Sequence, residues 1–210
     1  MSRPTRAAIA LAGAWCVAIT APRPVLSQRD DGRLARLDAT TRVAVAAVID
    51  SARRTRLPTE PLVDKALEGA KKGADGTRIV TAVRGLFLEL RMARLALGAE
   101  ATTDEINAGA NALHAGLAMR NLAQLRAAAK QAGRARVTLP LTVASDLVGR
   151  SVPVAVASDV VLSLVRSRLS DADFALFQRN VRLDIEHGAD AAAAAQTRAR
   201  GAVLHGSRSS

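Results

Sequence analysis

The stretch LPTEPLVDKALEGAKKGADGTRIVTAVRGLFLELRMARLALG, residues 57–98, reads as a short helix, a glycine corner and a long amphipathic helix. Ile79, Val83, Leu86, Phe87, Leu90, Ala93 and Leu97 recur at spacings of three and four, which places them on one side of a helix as a broad apolar stripe. The shorter helix before it has Leu62, Ala66 and Leu67 as its apolar side. Thr59 stands as its cap and Pro61 in its first turn, where the missing amide hydrogen costs no helix bond. Gly73 suits the left-handed residue that ends a helix, Asp75 opens the next one, and Gly98 closes it.

The rest of the chain has the same period, and no alternating strand pattern of useful length interrupts it. Thr40 or Thr41 is expected to cap a first helix over 42–56, ended by Pro58. Thr102 and Glu105 form a capping box for a fourth helix that reaches His114. A fifth follows Gly116 with Leu117, Leu122 and Leu125 inward, ending at Gly133. Thr138 with Pro140 opens a sixth, ending near Gly149, and Ser151 with Pro153 a seventh carrying Val154, Val160, Val161 and Leu164. Ser170, Asp171 and Asp173 start an eighth with the stripe Phe174, Phe177, Val181 and Ile185. Gly188 stops it, and Asp190 begins an alanine-rich last helix. The fold class is all-α, about nine helices in hairpins. Gly73, Gly116, Gly149 and Gly188 mark similar corners at intervals of 43, 33 and 39 residues, so the chain is either a degenerate array of hairpins or a compact bundle.

The N-terminus reads as an address. Arg3 and Arg6 precede an uncharged apolar run of 13 residues, 7–19, followed by Pro22, Pro24 and a small-residue cleavage pattern ending at Ser27. A bilayer span takes about 20 residues, so this run is a secretory leader rather than an anchor. Bulky Trp15 before Cys16 argues against a lipoprotein. The expected organisation is a leader over 1–27, a flexible start over 28–37, one helical domain over 38–200 and a disordered tail over 201–210. Cleavage after Ser27 leaves 183 of the 210 residues and no cysteine, so no disulfide is available in an oxidising compartment. It removes three arginines (Arg3, Arg6 and Arg23), which takes the formal net charge from +11 to +8. Such a balance suits anionic partners without choosing among them. Phe87, Phe174 and Phe177 are the only aromatics past the leader, so base stacking and sugar stacking are both poorly supplied.

Few residues point to chemistry. Asp38, Glu60, Asp64, Asp75, Asp104, Glu105, Asp171, Asp173 and Asp190 stand at helix starts, where a carboxylate caps free amides and offsets the helix dipole. His114 and His187 sit at helix C-termini and His205 in the tail. Asp184 and His187 share a face, but two ligands make a poor metal site. Ser145, Ser158 and Ser163 have no adjacent base or glycine-rich elbow. The expectation is a protein that is not an enzyme, with no cofactor and no metal. The spacing Gly69, Gly73, Ile79 has the skeleton of a helix-turn-helix, with Lys71, Lys72, Arg78 and Arg84 near it. Two helices meeting at a tight angle need the same spacing, and export separates the chain from genomic DNA. One basic face is a candidate for contact with anionic surfaces: Arg53, Arg54, Arg56, Lys65, Lys71 and Lys72.

The segments LPTEPLVDKALEGAKKGADGTRIVTAVRGL and IEHGADAAAAAQTRARG resemble exported helical proteins of bacteria. That resemblance implies secretion and helical architecture, and transfers no activity and no functional residue. The expectation is an exported, non-catalytic binding or structural module of the cell envelope, partnered by an envelope protein. The alternative is a peripheral binder of anionic lipid or polysaccharide. No nucleic-acid partner is expected unless the chain stays in the cytoplasm, where the helix-turn-helix reading returns.

Overall fold

The computed structural model describes residues 32–206, and the leader expected over 1–27 lies outside them. A helical turn at 32–34 precedes the helices α1 (Ala39–Arg54), α2 (Glu60–Lys71), α3 (Gly76–Leu97), α4 (Thr103–His114), α5 (Met119–Gln131), α6 (Thr138–Gly149), α7 (Val154–Arg166), α8 (Asp171–Glu186) and α9 (Ala191–Gly206). The described residues contain no strand. The chain is all-α.

The helices pack as a bundle whose main contacts join elements one or two apart in the chain. The odd helices stack in order, α1 on α3, α3 on α5, α5 on α7 and α7 on α9. Among the even ones α4 packs on α6 and α6 on α8. α2 and α4 each pack on α3, α6 on α7 and α8 on α9, so two layers share one core. That core runs without a break from Leu34 to Ala199. Leu34, Ile49, Leu62, Leu90, Leu122, Leu141, Leu164 and Phe174 are among its fully buried side chains.

Every turn between consecutive helices contains a left-handed residue: Arg56, Gly73, Gly98, Gly116, Gly133, Ser151, Arg168 and Gly188. These sharpen the repeat. Gly98, Gly133 and Arg168 are 35 residues apart in turn, and so are Gly116 and Ser151. The interval is the length of one two-helix unit. Buried positions recur at the same distance, Ile106 with Leu141, Ala112 with Leu147, Leu117 with Val152 and Ala129 with Leu164. Gly149 belongs to α6, and Ser151 (φ 66°) makes the corner instead. Counted with Ser151, the intervals from Gly73 through Gly116 to Gly188 become 43, 35 and 37, so the 35-residue spacing holds in the middle of the chain and not at its two ends. Ser151 therefore does not cap α7, whose N-cap position is Pro153.

Other boundaries shift for local reasons. α1 starts at Ala39 because the Asp38 carboxylate accepts from the Thr41 amide at 3.0 Å. Thr41 is buried rather than capping, and the helix ends at Arg54, before Pro58 is reached. Residues 32–37, expected to be a flexible start, carry buried Leu34 and Leu37, and Arg33 pairs with Glu60 and with Asp64 on α2. The last helix continues past Arg200 to Gly206, beyond the expected end of the domain, with Ala202 and Val203 against the core. Within α3, Leu86 and Phe87 are only half-buried, and Ile79, Val83, Leu90, Ala93 and Leu97 form the buried line.

Candidate functional site

Some of the carboxylates at helix starts act as caps, while Glu60 and Asp64 pair with Arg33 and Asp171 with Arg134. Asp75 accepts from the Arg78 amide at 2.9 Å and Asp190 from the Ala193 amide at 2.8 Å, and Ser170 with Asp173 forms a capping box on α8. Glu105 does more. Its Oε2 accepts from the Thr102 amide at 3.0 Å, and its Oε1 from Arg126 Nη1 at 2.8 Å and from the Val137 amide at 3.0 Å. One carboxylate with 1% exposure thus ties the start of α4 to α5 and to the entry of α6. Burial pushes its pKa up, but the amides of Thr102 and Val137 and the Arg126 charge outweigh this and hold it below its ordinary value. Asp146 is the counterpart between α6 and α8. It accepts from Arg150 Nε and Gln178 Nε2, each at 2.9 Å. Burial pushes its pKa up as well, and these donors bring it below the usual carboxylate range. Both groups are structural anchors.

The basic residues singled out in the sequence do not meet in one place. Gly76, at the start of α3, lies against Thr41 and Asp38 at the start of α1. The adjoining Lys71 and Lys72 therefore sit beside the N-terminal end of α1, while Arg53, Arg54 and Arg56 lie at its C-terminal end. α1 has 16 residues, so about 24 Å separates its ends. Several charges are already paired: Arg53 with Asp50 at 2.8 Å, Lys65 with Glu68 at 3.1 Å, and Lys72 with the same Glu68. Arg54 donates to Ser51 Oγ at 3.0 Å.

The glycine corner has a steric explanation. A Cβ on Gly69 would stand 2.8 Å from Ile79 Cγ1, so the small residue lets α2 and α3 cross closely. Both oxygens of Asp184 are held by Arg198 at 2.6 Å, which engages the carboxylate once considered with His187. Among the described residues, no group of three or more His, Cys, Asp or Glu is placed to hold a metal. Ser145 and Ser163 donate to carbonyls of their own helices, Leu141 and Val160.

One opening does gather polar groups. α2 and α4 both pack on α3 but not closely on each other, which leaves a groove of about 300 Å³ above α3. Its floor is Ala82, Gly85 and Leu86. Its rim is Lys65 from α2, Glu89 from α3, and Asn111 and His114 from α4. A Cβ on Gly85 would meet nothing within 4 Å, so the floor is open. His114 Nδ1 lies 3.0 Å from Glu89 Oε1, with the imidazole largely exposed. Asn107, one turn before Asn111 on α4, has a buried Oδ1 with no hydrogen-bond partner. The sequence placed His114 only at a helix end. Its pairing with Glu89, 25 positions earlier, has no local signal.

The chain matches no family model, no curated protein and no solved structure.

Proposed function

We propose that this chain is a non-catalytic binding module exported to the bacterial cell envelope, and that it receives its partner in the groove between α2 and α4. The observation that carries the reading is the groove itself: an uncharged floor of Ala82, Gly85 and Leu86, with donors and acceptors of both signs on its rim. Such an arrangement suits a short protruding element of another protein, whose backbone and polar side chains need both donors and acceptors. The envelope part of the reading rests on the leader pattern over 1–27.

A photo-crosslinking side chain at Gly85, where space is open, tests the groove. In intact cells it should give an adduct with an envelope protein that the same group at exposed Arg179 on α8 does not give. Equal adducts, or none, would remove the groove reading. Mass spectrometry of the protein from fractionated cells should find a mature chain starting near Gln28. An intact N-terminus in the cytosol would overturn the envelope part and favour the helix-turn-helix reading instead.

A further inference from the structure

The two layers carry opposite charge. The odd helices hold thirteen Lys and Arg against three carboxylates, Asp50, Glu89 and Asp159. The even helices hold four, Lys65, Lys71, Arg179 and Arg182, against ten Asp and Glu. In sequence this segregation is hidden, because acidic and basic helices alternate along the chain.

α3 is the longest helix and packs against α1, α2, α4 and α5. Arg84, Leu88, Arg91 and Leu95 follow one another by four, three and four positions, so they share one face. That face is outward: Leu88 is 52% and Leu95 72% exposed, and both arginines are exposed. Arg84 and Arg91 have no carboxylate partner among the described residues, and the Arg91 guanidinium lies over the Phe87 ring at 5.8 Å. The neighbouring odd helices add exposed Val43 and Met119, and exposed Arg120 and Lys130 without ion pairs.

We propose that this outer face of the odd layer, centred on the Arg84–Leu88–Arg91–Leu95 stripe of α3, is a docking surface for anionic lipid headgroups. Exposed leucines between unpaired arginines fit a lipid interface, where the apolar side chains enter the acyl boundary while the guanidinium groups meet phosphates. A soluble polyanion would match the arginines and leave the leucines in water with nothing gained. The surface is distinct from the α2–α4 groove, whose lining on α3 is Ala82, Gly85, Leu86 and Glu89 and includes none of the four stripe residues. It also differs from the basic face anticipated around Arg53 to Lys72.

The test is co-sedimentation of the purified protein with phosphatidylglycerol vesicles, phosphatidylcholine vesicles and soluble dextran sulfate as separate arms. Wild type should bind the anionic vesicles in a salt-dependent way and not the neutral ones. Arg84→Glu with Arg91→Glu should weaken that binding at least about tenfold. Lys71→Glu with Lys72→Glu, an identical change of net charge, should weaken it less than about threefold. Leu88→Ser with Leu95→Ser keeps all charge and should still weaken it at least about threefold. Circular dichroism confirms folding, and these exposed positions leave the core untouched. If the charge pairs are equivalent, if the leucine variant binds like wild type, or if dextran sulfate is held while vesicles are not, the lipid surface is excluded.

Discussion

Glu105 Oε1 accepts the backbone N–H of Val137 at 3.0 Å, across 32 positions of chain, while also receiving Arg126 Nη1. The amide is one of the unsatisfied donors at the start of a helix, and it is buried. Glu105→Ala strands the Val137 amide and removes the acceptor of the Thr102 amide and of the part-buried Arg126 guanidinium, and leaving a buried donor unsatisfied costs about 1–3 kcal/mol. Glu105→Gln keeps one acceptor oxygen for Val137 and Arg126 but loses the charge and turns its NH2 toward the Thr102 amide, so it should cost less than alanine but more than nothing. Urea unfolding of the three proteins should rank them wild type, Gln, Ala. Equal midpoints for wild type and the alanine variant would show that the tie contributes nothing.

The same carboxylate makes stability depend on pH. The folded-state pKa values of Glu105 and Asp146 lie below their ordinary values. Their contribution is therefore present above the unfolded-state pKa, near 4, and is lost as pH falls through the folded one. Stability should hold between pH 7 and about 5 and decline below that. In Glu105→Gln one titrating group is gone, so the acid decline should be shallower although the variant starts lower. A wild-type midpoint that is flat down to pH 3 would contradict this.

Two glycines in helix interiors should respond with opposite sign. A Cβ on Gly109 of α4 would stand 2.9 Å from Ala93 Cβ, 3.0 Å from Leu97 Cδ1 and 3.2 Å from Leu122 Cδ2, wedging α4 away from α3 and α5. Gly109→Ala should destabilise by about 1–3 kcal/mol through overpacking. On α3, Gly85 has nothing within 4 Å of that position, so Gly85→Ala should stabilise by about 0.5–1 kcal/mol through helix propensity. Thermal melts of the pair decide it, and a fall in Tm for Gly85→Ala would mean that the groove floor is not open.

Ser151 and Arg168 end their helices with φ of 66° and 57°, a conformation that costs a non-glycine residue about 1 kcal/mol or more. Glycine fills the same role at positions 98, 116, 133 and 188. Ser151→Gly and Arg168→Gly should each raise the unfolding free energy by up to about 1 kcal/mol and leave the helix content unchanged. Lower stability in both would place the balance with the added freedom of the unfolded chain.

Those two positions also mark where the sequence stops being legible. Helices are written locally, in stripes such as Ile79–Val83–Leu90–Leu97 and caps such as Thr102–Glu105, and so the all-α fold could be read directly. The 35-residue repeat was obscured because its left-handed corners are made by glycine, serine and arginine alike, and only glycine announces the conformation. The groove is still less visible. It exists because α2 and α4 do not pack closely on each other, and no residue pattern in either helix states that. The division of the basic residues into two groups is hidden for a related reason: residues 53–56 and 71–72 are near in sequence, yet α2 carries the chain to the other end of α1 between them.

The order of the contacts predicts how the molecule opens. α3 packs against four helices and buries Ile79, Val83, Leu90 and Leu97. α9 packs only on α7 and α8 among the main contacts, and its buried side chains are Ala194, Ala195 and Ala199. A methyl group removes far less apolar surface from water than a leucine side chain, and a difference of about 0.8 kcal/mol per methylene accumulates over several positions. With contacts confined to near neighbours, α9 can detach without disrupting the core around α3. Native-state hydrogen exchange should therefore find the amides of α9 opening with a free energy at least about 1.4 kcal/mol below those of α3, a tenfold or greater difference in exchange rate. Equal protection in α3 and α9 would show that the layers unfold as one cooperative block.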